Sequence, residues 1–318
     1  MKRIVSVSLG SSRRNSVATV TVLGEEVTVE RIGTDGSIDK AIALIRELDG
    51  KVDAFGMGGI DLYVHANGRR YAFRDARRIA AAAVRTPIVD GSGLKNTLER
   101  RAVHWFDQNV MPLRGKRVLM TAAVDRFGMA EALVDVGADI VFGDLMFALG
   151  IPIPIRSFRT IHVLARVLLP IITQLPFTWL YPTGAKQESY EPKFTEYYQW
   201  ADVIAGDWLY IRRYAPDQLR GKAILTNTVT PADIEWMRRA GVATLVTTTP
   251  NLGGRSFGTN LMEGLIVAAA GKDPERMSPS DYEDWLDRVG FTPRVEQFVE
   301  ARGAAGVGSA GACDRSVR

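Results

Sequence analysis

Cysteine is almost absent from this chain, since Cys313 is the single one among 318 residues. A lone cysteine excludes an intrachain disulfide framework and a cysteine-based metal site, and it is typical of a reducing compartment. Histidine is also scarce: His65, His104 and His162 lie far apart, and none has the spacing of metal ligands. The first residues lack the apolar stretch of a secretory signal. We therefore expect no catalytic metal and a cytoplasmic location.

A large excess of one sign of charge is also missing, because the net charge is only +4. This excess is too small to indicate a nucleic-acid partner, and the arginine-rich stretch 69–85 is interpreted as a solvated helix face. No uninterrupted apolar run reaches the roughly 20 residues of a membrane span. The most apolar segment, 161–181, contains Arg166 and is cut by Pro170 and Pro176. We expect core helices or an apolar flap there; contact with a membrane surface, or with a second copy in a homodimer, is the alternative.

Apolar residues are abundant in short segments that alternate between strand and helix patterns. They make up 46% of the chain, which is enough for a sizeable core. Segment 4–9 is typical of a strand, 17–32 of a hairpin and 37–50 of an amphipathic helix. The strand, helix and strand patterns of segment 116–143 predict a β-α-β unit with parallel strands.

This alternation predicts an α/β protein in which an N-terminal α/β domain is followed by a Rossmann-like domain with a parallel sheet. The last C-terminal helix is predicted over 293–301. The predicted units are an N-terminal substrate domain (1–110), a Rossmann-like nucleotide-binding domain (111–272) with an apolar helical insertion (147–200), C-terminal helices (273–303) and a disordered tail (304–318).

The turn between the first strand and helix of this β-α-β unit is the candidate site for a dinucleotide's diphosphate. Of the G-x-G-x-x-G pattern only Gly128 is present, Ala123 stands in place of the first glycine, and Asp125 puts a carboxylate where phosphate is expected. Arg126 is able to offset that charge. Asp144, about 20 residues after Ala123, suits the ribose-binding acid and favours NAD, with NADP possible. The alternative is a plain β-α-β unit in which Asp144 caps the next segment.

Further strands of this domain end in polar residues, as expected where ligands bind beyond the carboxyl ends of parallel strands. The glycine-containing segment 251–260 predicts a cradle for an anion or a carboxamide; a flexible loop with a helix cap is the alternative. The predicted cofactor contacts are Ala123, Arg126, Gly128, Met129, Asp144, Asn227, Thr228 and Thr248.

The loop 87–97 is the candidate catalytic loop of the N-terminal domain. A strand ends in Asp90, a glycine-rich turn follows, and a helix begins with Lys95 and Asn96 near its N-terminus. A second glycine-rich loop ends in Asp61, and in a parallel sheet both loops face one cleft. A lysine beside an aspartate is a workable general acid/base pair. Lys95 with Asp61 or Asp90 is therefore the predicted catalytic pair; a solvated helix lysine is the alternative.

Polar residues near the same cleft are predicted to bind the substrate. Serines at the end of the first strand suit substrate hydroxyls, although ordinary turn chemistry also explains them. The predicted substrate contacts are Ser8, Ser11, Ser12, Asn96, Arg255 and Asn260.

With segments 5–10, 90–96, 179–184 and 247–260 in view, the sequence resembles a bacterial family named quinate 5-dehydrogenase, over nearly the whole chain apart from the tail. The resemblance implies oxidation of a ring hydroxyl of quinate or shikimate with NAD(P). The wider quinate/shikimate dehydrogenase group has a substrate domain before a Rossmann domain and a lysine–aspartate pair in the cleft, which implies that role for Lys95. This sequence departs from the group in its phosphate turn and in lacking an asparagine-threonine-aspartate motif after the lysine.

We therefore expect an NAD(P)-dependent oxidoreductase that acts on a hydroxylated carboxylic acid. The alternative, which Asp125 favours, is a non-redox enzyme or a ligand sensor that binds another nucleotide or a sugar acid in the interdomain cleft. A scaffold that docks through segment 161–181 is the third hypothesis.

Overall fold

Two sheets of mainly parallel strands, packed with helices, form the described chain, which confirms the predicted α/β class. The computed structural model describes residues 1–66, 68–176, 190–227, 229–249, 251–252, 255–256 and 258–298. Predictions that concern other residues, among them Thr228, Cys313 and segments 179–184 and 304–318, lie outside the description.

The first sheet has five strands in the order β2-β3-β1-β4-β7. All neighbours are parallel except β2 and β3, which form the predicted antiparallel hairpin. Its turn places Leu23 and Gly24 at φ 51° and 84°, the left-handed conformation that such tight hairpins require. The strands are β1 (Lys2–Ser8), β2 (Ser16–Val22), β3 (Glu25–Gly33), β4 (Ala54–Gly58) and β7 (Ile88–Val89), with a separate hairpin of β5 (Tyr63–Ala66) and β6 (Arg69–Ala72).

Helix α1 begins where the sequence pattern places it, whereas the stretch 69–85, interpreted as a helix face, is an α-helix only over Arg74–Ala80 because Arg69–Ala72 forms β6. Ser37 caps α1 by accepting a hydrogen bond from the Lys40 backbone N–H, and Ala41 and Ile45 bury its apolar face. The helices are α1 (Ile38–Leu48), α2 (Arg74–Ala80) and α3 (Ser92–Asn109).

The second sheet has six strands in the order β15-β12-β11-β10-β8-β9, all parallel except β15 at the edge. The strand order reverses between β8 and β10, which is where ligands bind in open α/β sheets. The strands are β8 (Arg117–Met120), β9 (Asp139–Phe142), β10 (Val203–Ala205), β11 (Ala223–Thr226), β12 (Thr244–Thr247) and β15 (Arg294–Gln297), with a short hairpin of β13 (Asn251–Leu252) and β14 (Arg255–Ser256).

The predicted helix over 293–301 is wrong, because Arg294–Gln297 is a strand that pairs with β12. This pairing satisfies the backbone hydrogen-bonding groups at the edge of β12. A local sequence pattern does not reveal such a partner strand. The helices of the second half are α4 (Phe127–Asp135), α5 (Phe158–Ile172), α6 (Thr195–Trp200), α7 (Trp208–Tyr214) and α8 (Pro231–Ala240), with a π-helical turn at Asp144–Ala148.

Two later helices, α9 (Thr259–Ala270) and α10 (Pro279–Arg288), return to the first half of the chain, where α9 packs on the first sheet. Leu261 and Leu265 of α9 pack with Ile4 of β1 and with other buried residues of the first sheet, and α10 packs on α3. The predicted domain limits stay predictions, but α9 lies within the range predicted for the second domain and contacts the first. This crossing brings the α9 N-terminus to the space between the sheets.

Helix α5 contains residues 161–172 of the predicted apolar segment 161–181, of which residues 177–181 lie outside the description. Ile161, Ala165 and Leu169 bury one face of it, while Val163 and Val167 are exposed on the other. Within the described ranges, no helix combines the length and the apolar character needed to cross a bilayer. Contact of this segment with a membrane surface or a second copy stays a prediction.

Candidate active site

A cavity of about 250 Å³ lies between the two sheets. Residues that follow the carboxyl ends of strands in both sheets line it, together with the start of α9. The titratable residues among them are Asp61, Asp90, Lys95, Asp125, Arg126, Asp207, Tyr210, Arg213 and Tyr214. The structure therefore brings the two predicted loops and the predicted nucleotide turn to one place.

Lys95 lies between two carboxyl groups at the wall of this cavity. Its Nζ is 3.2 Å from Asp125 Oδ1 and 3.5 Å from Asp61 Oδ2. Asp61 and Asp125 are also hydrogen-bonded to each other. The predicted pairing of Lys95 with an aspartate thus involves Asp61. Lys95 also pairs with Asp125, a residue predicted to lie in the phosphate turn.

The three groups titrate differently because their surroundings differ. Burial and the nearby charge of Asp125 raise the pKa of Asp61 well above its ordinary value, against the attraction of Lys95. Burial also acts on Asp125, but the charges of Lys95 and Arg126 outweigh it and lower the pKa of Asp125 to about 2. Burial lowers the pKa of Lys95, and the charges of Asp125 and Asp61 more than reverse this. The cluster therefore combines a lysine held as an ammonium, an aspartate whose pKa is lowered and a second aspartate whose pKa is raised.

Asp90, the other predicted partner, holds the loop that carries Asp61. It accepts hydrogen bonds from the backbone N–H groups of Leu62 at 2.5 Å and Tyr63 at 3.1 Å. Its second oxygen accepts from the N–H and the hydroxyl of Ser92 at 3.1 and 2.7 Å. With its oxygens engaged in this way, Asp90 is a positioning residue, and Asp61 is the group that reaches Lys95.

Glu263 positions α3, the helix that carries Lys95, and sequence reasoning missed it. It is buried on α9, lies near the backbone N–H groups of Gly91 and Leu94, and accepts the Tyr282 hydroxyl at 2.5 Å through Oε1, while its Oε2 has no hydrogen-bond partner among the described residues. Burial and the charge of Asp90 raise the pKa of Glu263 to about 8. The available signal was that Glu263 is the single charged residue in the otherwise apolar segment 261–270.

Arg126 fills the crevice where the strand order reverses. Its guanidinium is 4% exposed, lies 2.7 Å from Asp207 at the end of β10, and pairs with the buried Glu99 of α3. Asp207 also accepts a hydrogen bond from Asn227 Nδ2 at 2.8 Å. Arg126 is thus committed to carboxylates of the chain itself and is not available to a diphosphate.

The turn that follows β8 is occupied as well. The Asp144 carboxylate accepts the backbone N–H of Ala123 at 3.0 Å and that of Val124 at 2.9 Å, so it caps this turn. Burial raises the pKa of Asp144 to about 6, although these hydrogen bonds oppose the shift. A Cβ on Gly128 would lie 2.7 Å from the Asn96 carbonyl oxygen, which shows that α3 packs directly on the start of α4.

These residues do not fit the diphosphate of a dinucleotide at the β8–α4 turn. Two of its N–H donors are taken by Asp144, the Asp125 carboxylate borders the cavity, and α3 covers Gly128. Met129, a predicted cofactor contact, is fully buried. The expected cofactor contacts of Ala123, Gly128, Met129 and Asp144 are therefore replaced by internal packing and hydrogen bonds.

Of the remaining described residues that were predicted to contact the cofactor, one lines the cavity and one is buried away from it. Asn227 lines the cavity, and its Oδ1 accepts the Trp208 backbone N–H at 3.0 Å. Thr248 is 1% exposed and donates its backbone N–H to the Thr226 carbonyl at 2.7 Å, so it belongs to the interior of the sheet edge.

Among the described residues that were predicted to contact the substrate, only Asn260 lines this cavity. Its Nδ2 donates to Ser6 Oγ at 2.6 Å. Ser11 accepts the Arg13 backbone N–H and Ser12 donates its own N–H to Asp35, which is ordinary turn chemistry. The other two described contacts are elsewhere: Asn96 lies against Gly128, and Ser8 borders a second cavity. The Arg255 side chain lies outside the description.

Two family models match this chain over separate ranges. The model described as Domain of unknown function (DUF8754) matches residues 93–298, and the one described as Domain of unknown function (DUF8753) matches residues 3–90. The chain belongs to the DUF8754 family. No curated protein matches it.

Solved structures resemble this DUF8754 chain only distantly. An NAD-dependent malic enzyme from Thermotoga maritima is 14% identical with a TM-score of 0.36, covering 91% of this chain and 84% of that chain. A hetero-hexameric glutamate dehydrogenase from Thermus thermophilus is 14% identical with a TM-score of 0.41, covering 91% and 73%. A galactofuranose binding protein is 12% identical with a TM-score of 0.36, covering 91% and 99%. None of the three is a quinate dehydrogenase, and TM-scores this low carry no inference about activity.

The cluster in the DUF8754 chain combines a proton donor with a fixed countercharge. Asp61, whose pKa is raised, and Asp125, whose pKa is lowered, both accept hydrogen bonds from the Lys95 ammonium at the cavity. Such a pair is able to donate a proton to a ligand oxygen or to take one from it.

Proposed function

We propose that this chain is an enzyme that transfers a proton to or from an oxygen atom of a small hydroxylated substrate bound between the two sheets. The observation that carries the proposal is the placement of Lys95 between Asp61 and Asp125 at the wall of the 250 Å³ cavity. Perturbed carboxyl and lysine groups that share a cavity are a feature of catalytic sites.

Asp61 is the proton carrier in this proposal. Its raised pKa keeps the carboxyl group protonated at a pH where an ordinary aspartate is ionised. When it gives up the proton, the Lys95 ammonium at 3.5 Å stabilises the carboxylate that forms. Asp125 is already ionised, so it serves as the anchor of Lys95 and not as the donor.

The lining of the cavity favours a substrate rich in hydroxyl groups. Asp207 offers carboxylate oxygens and Asn227 offers an amide, both at the cavity wall opposite the first sheet. Sugar-like hydroxyls donate to such oxygens and accept from such amides. The acidic groups here also disfavour a ligand that places negative charge at this end of the cleft.

The test compares Asp61→Asn with Asp39→Asn, an exposed aspartate of α1. Ligands come from a thermal-shift screen of sugars, sugar acids and sugar phosphates, and substrate consumption is followed by mass spectrometry. We expect Asp61→Asn to lower kcat by about 10²–10⁴-fold, the usual contribution of a general acid, with little change in Kd. The Asp39 variant is expected to match the wild-type chain. Wild-type turnover by Asp61→Asn, or a screen in which nothing is consumed, contradicts the proposal.

The strand order of the second sheet favours a second candidate, an NAD(P)-dependent dehydrogenase of a hydroxylated carboxylic acid such as quinate or shikimate. The reversal between β8 and β10 borders the cavity that holds Lys95 and Asp61. Because the β8–α4 turn does not fit a diphosphate, this candidate is tested by direct titration of the chain with the nicotinamide cofactors. Binding of NAD(H) or NADP(H), measured by calorimetry, supports this candidate, and the absence of binding at millimolar concentration removes it.

A further inference from the structure

A second cavity, of about 340 Å³, adjoins the first one. The Gly58–Gly59 loop and Asn260 line both cavities, so the two form one continuous cleft. Around this second cavity lie the end of β1, the 3₁₀ turn Ser12–Arg14 and the start of α8. The first cavity contains the acid/base cluster, and nothing in that cluster explains the side chains of the second.

The charges of the second cavity are all positive. Arg13, Arg14 and Arg31 line it, and no acidic residue does. Within the described residues, no carboxylate lies within salt-bridge distance of any of these arginines. Asp35 attracts Arg31 and Arg13 from beyond salt-bridge distance, so three guanidinium groups in one concave site share a single carboxylate, an arrangement that an added anion stabilises.

Arg31 is held in a fixed orientation by the first sheet. Its Nη1 donates to the Ser11 carbonyl at 3.1 Å, and its Nη2 donates to Ser8 Oγ at 2.9 Å. Burial and the neighbouring charge of Arg14 lower its pKa to about 10, and the attraction of Asp35 offsets this only in part. Arg31 and Arg14 therefore repel each other across a partly desolvated space.

Small hydroxyl groups surround Arg31. Strand register places Ser6 of β1 and Ser16 of β2 beside Arg31 on the sheet, and both line the cavity. Ser8 Oγ already accepts the Gly10 backbone N–H and the Arg31 guanidinium, so its own proton remains to be donated. The site thus combines three cations with hydroxyl donors.

We propose that Arg13, Arg14 and Arg31 bind the phosphate group of a phosphate-monoester substrate. A carboxylate is matched by one bidentate arginine, whereas a phosphate monoester carries close to two negative charges and three acceptor oxygens, which fits three guanidinium groups and serine hydroxyls. The inference rests on the proposed function only in placing the reactive end of that substrate beside Lys95. Phosphate binding itself requires no proton transfer.

The experiment measures binding by isothermal titration calorimetry to the full chain, with inorganic phosphate, ribose 5-phosphate, ribose and ribonate as probes. We expect ribose 5-phosphate to bind at least tenfold more tightly than ribose or ribonate. Arg14→Gln is expected to weaken the binding of both phosphates by about tenfold or more, since a lost charge-assisted hydrogen bond has an effect of this order. Arg46→Gln, which removes an exposed arginine of α1, serves as the matched control and is expected to bind as the wild-type chain does.

Each outcome decides. No binding of either phosphate, equal affinity for ribonate and ribose 5-phosphate, or equal affinity in the Arg14 and Arg46 variants overturns the phosphate site. Arg13→Gln provides a second variant at an exposed position, should Arg14→Gln fail to fold. Binding of inorganic phosphate to the wild-type chain requires no turnover, so a failure of the proton-transfer proposal leaves this measurement unaffected.

Discussion

Single buried charges in this molecule are stable because each faces an opposite charge at short range. Lys95 faces Asp125 and Asp61, and Arg126 faces Glu99 and Asp207. Removing one partner of such a group leaves the other buried and uncompensated, which costs more than the pair itself contributes. Residue-level tests therefore report on stability as well as on chemistry.

Lys95→Met is expected to lower the free energy of unfolding at pH 7 by about 3–5 kcal/mol, because Asp125 loses the charge that compensates its burial. The pKa of Asp125 is depressed in the folded state, so its contribution is present above the ordinary aspartate pKa and is lost as the pH falls through about 2. The deficit of the variant is therefore expected to shrink as the pH falls below 4.

Urea denaturation at pH 7 and at pH 3 measures the deficit of Lys95→Met. Lys40→Met, at an exposed position of α1, is the control and is expected to change the free energy of unfolding by no more than about 0.5 kcal/mol. Equal losses in the two variants, or a deficit that does not depend on pH, would show that Lys95 does not compensate Asp125.

Individual helices and strands could be predicted from the sequence wherever the information is local. The amphipathic helix predicted over 37–50 is confirmed as α1, which Ser37 caps through its side chain. The same holds for the hairpin of β2 and β3 and for the β-α-β unit of β8, α4 and β9. Period and turn chemistry specify an element, but they do not specify what it packs against.

The partners of these elements could not be predicted, because they depend on contacts between distant parts of the chain. The apolar pattern of α9 does not reveal that the helix packs on β1 and β4. Gly128 was interpreted as a phosphate-turn glycine, whereas it allows α3 to approach α4. Asp125 was assigned to the same turn, yet it pairs with Lys95, which is distant in sequence. The Lys95–Asp61 pair of the candidate site was thus predictable from the sequence, but the residues that hold this pair in place were not.

The molecule as a whole depends on Glu263, where three parts of the chain meet. Helix α9 supplies the carboxyl group, the start of α3 lies beside it, and α10 supplies the Tyr282 hydroxyl that donates to it. Burial and Glu263 raise the pKa of Tyr282, so this hydroxyl remains a donor. The contact joins α9, which packs on the first sheet, and α10 with the start of the helix that carries Lys95.

Because the pKa of Glu263 rises from 4.5 to about 8 on folding, its protonated form stabilises the folded state below pH 4.5, and this stabilisation is lost as the pH rises through 8. We expect Glu263→Gln, which keeps an acceptor but cannot ionise, to gain about 1.4 kcal/mol per pH unit relative to the wild-type chain over this interval. Urea denaturation between pH 5 and pH 8.5 measures the difference. Glu47→Gln, an exposed substitution on α1, is expected to retain the wild-type slope. If Glu263→Gln shows that slope too, the carboxyl group is ionised in the folded chain, and α3 is held at its N-terminus by a buried charge.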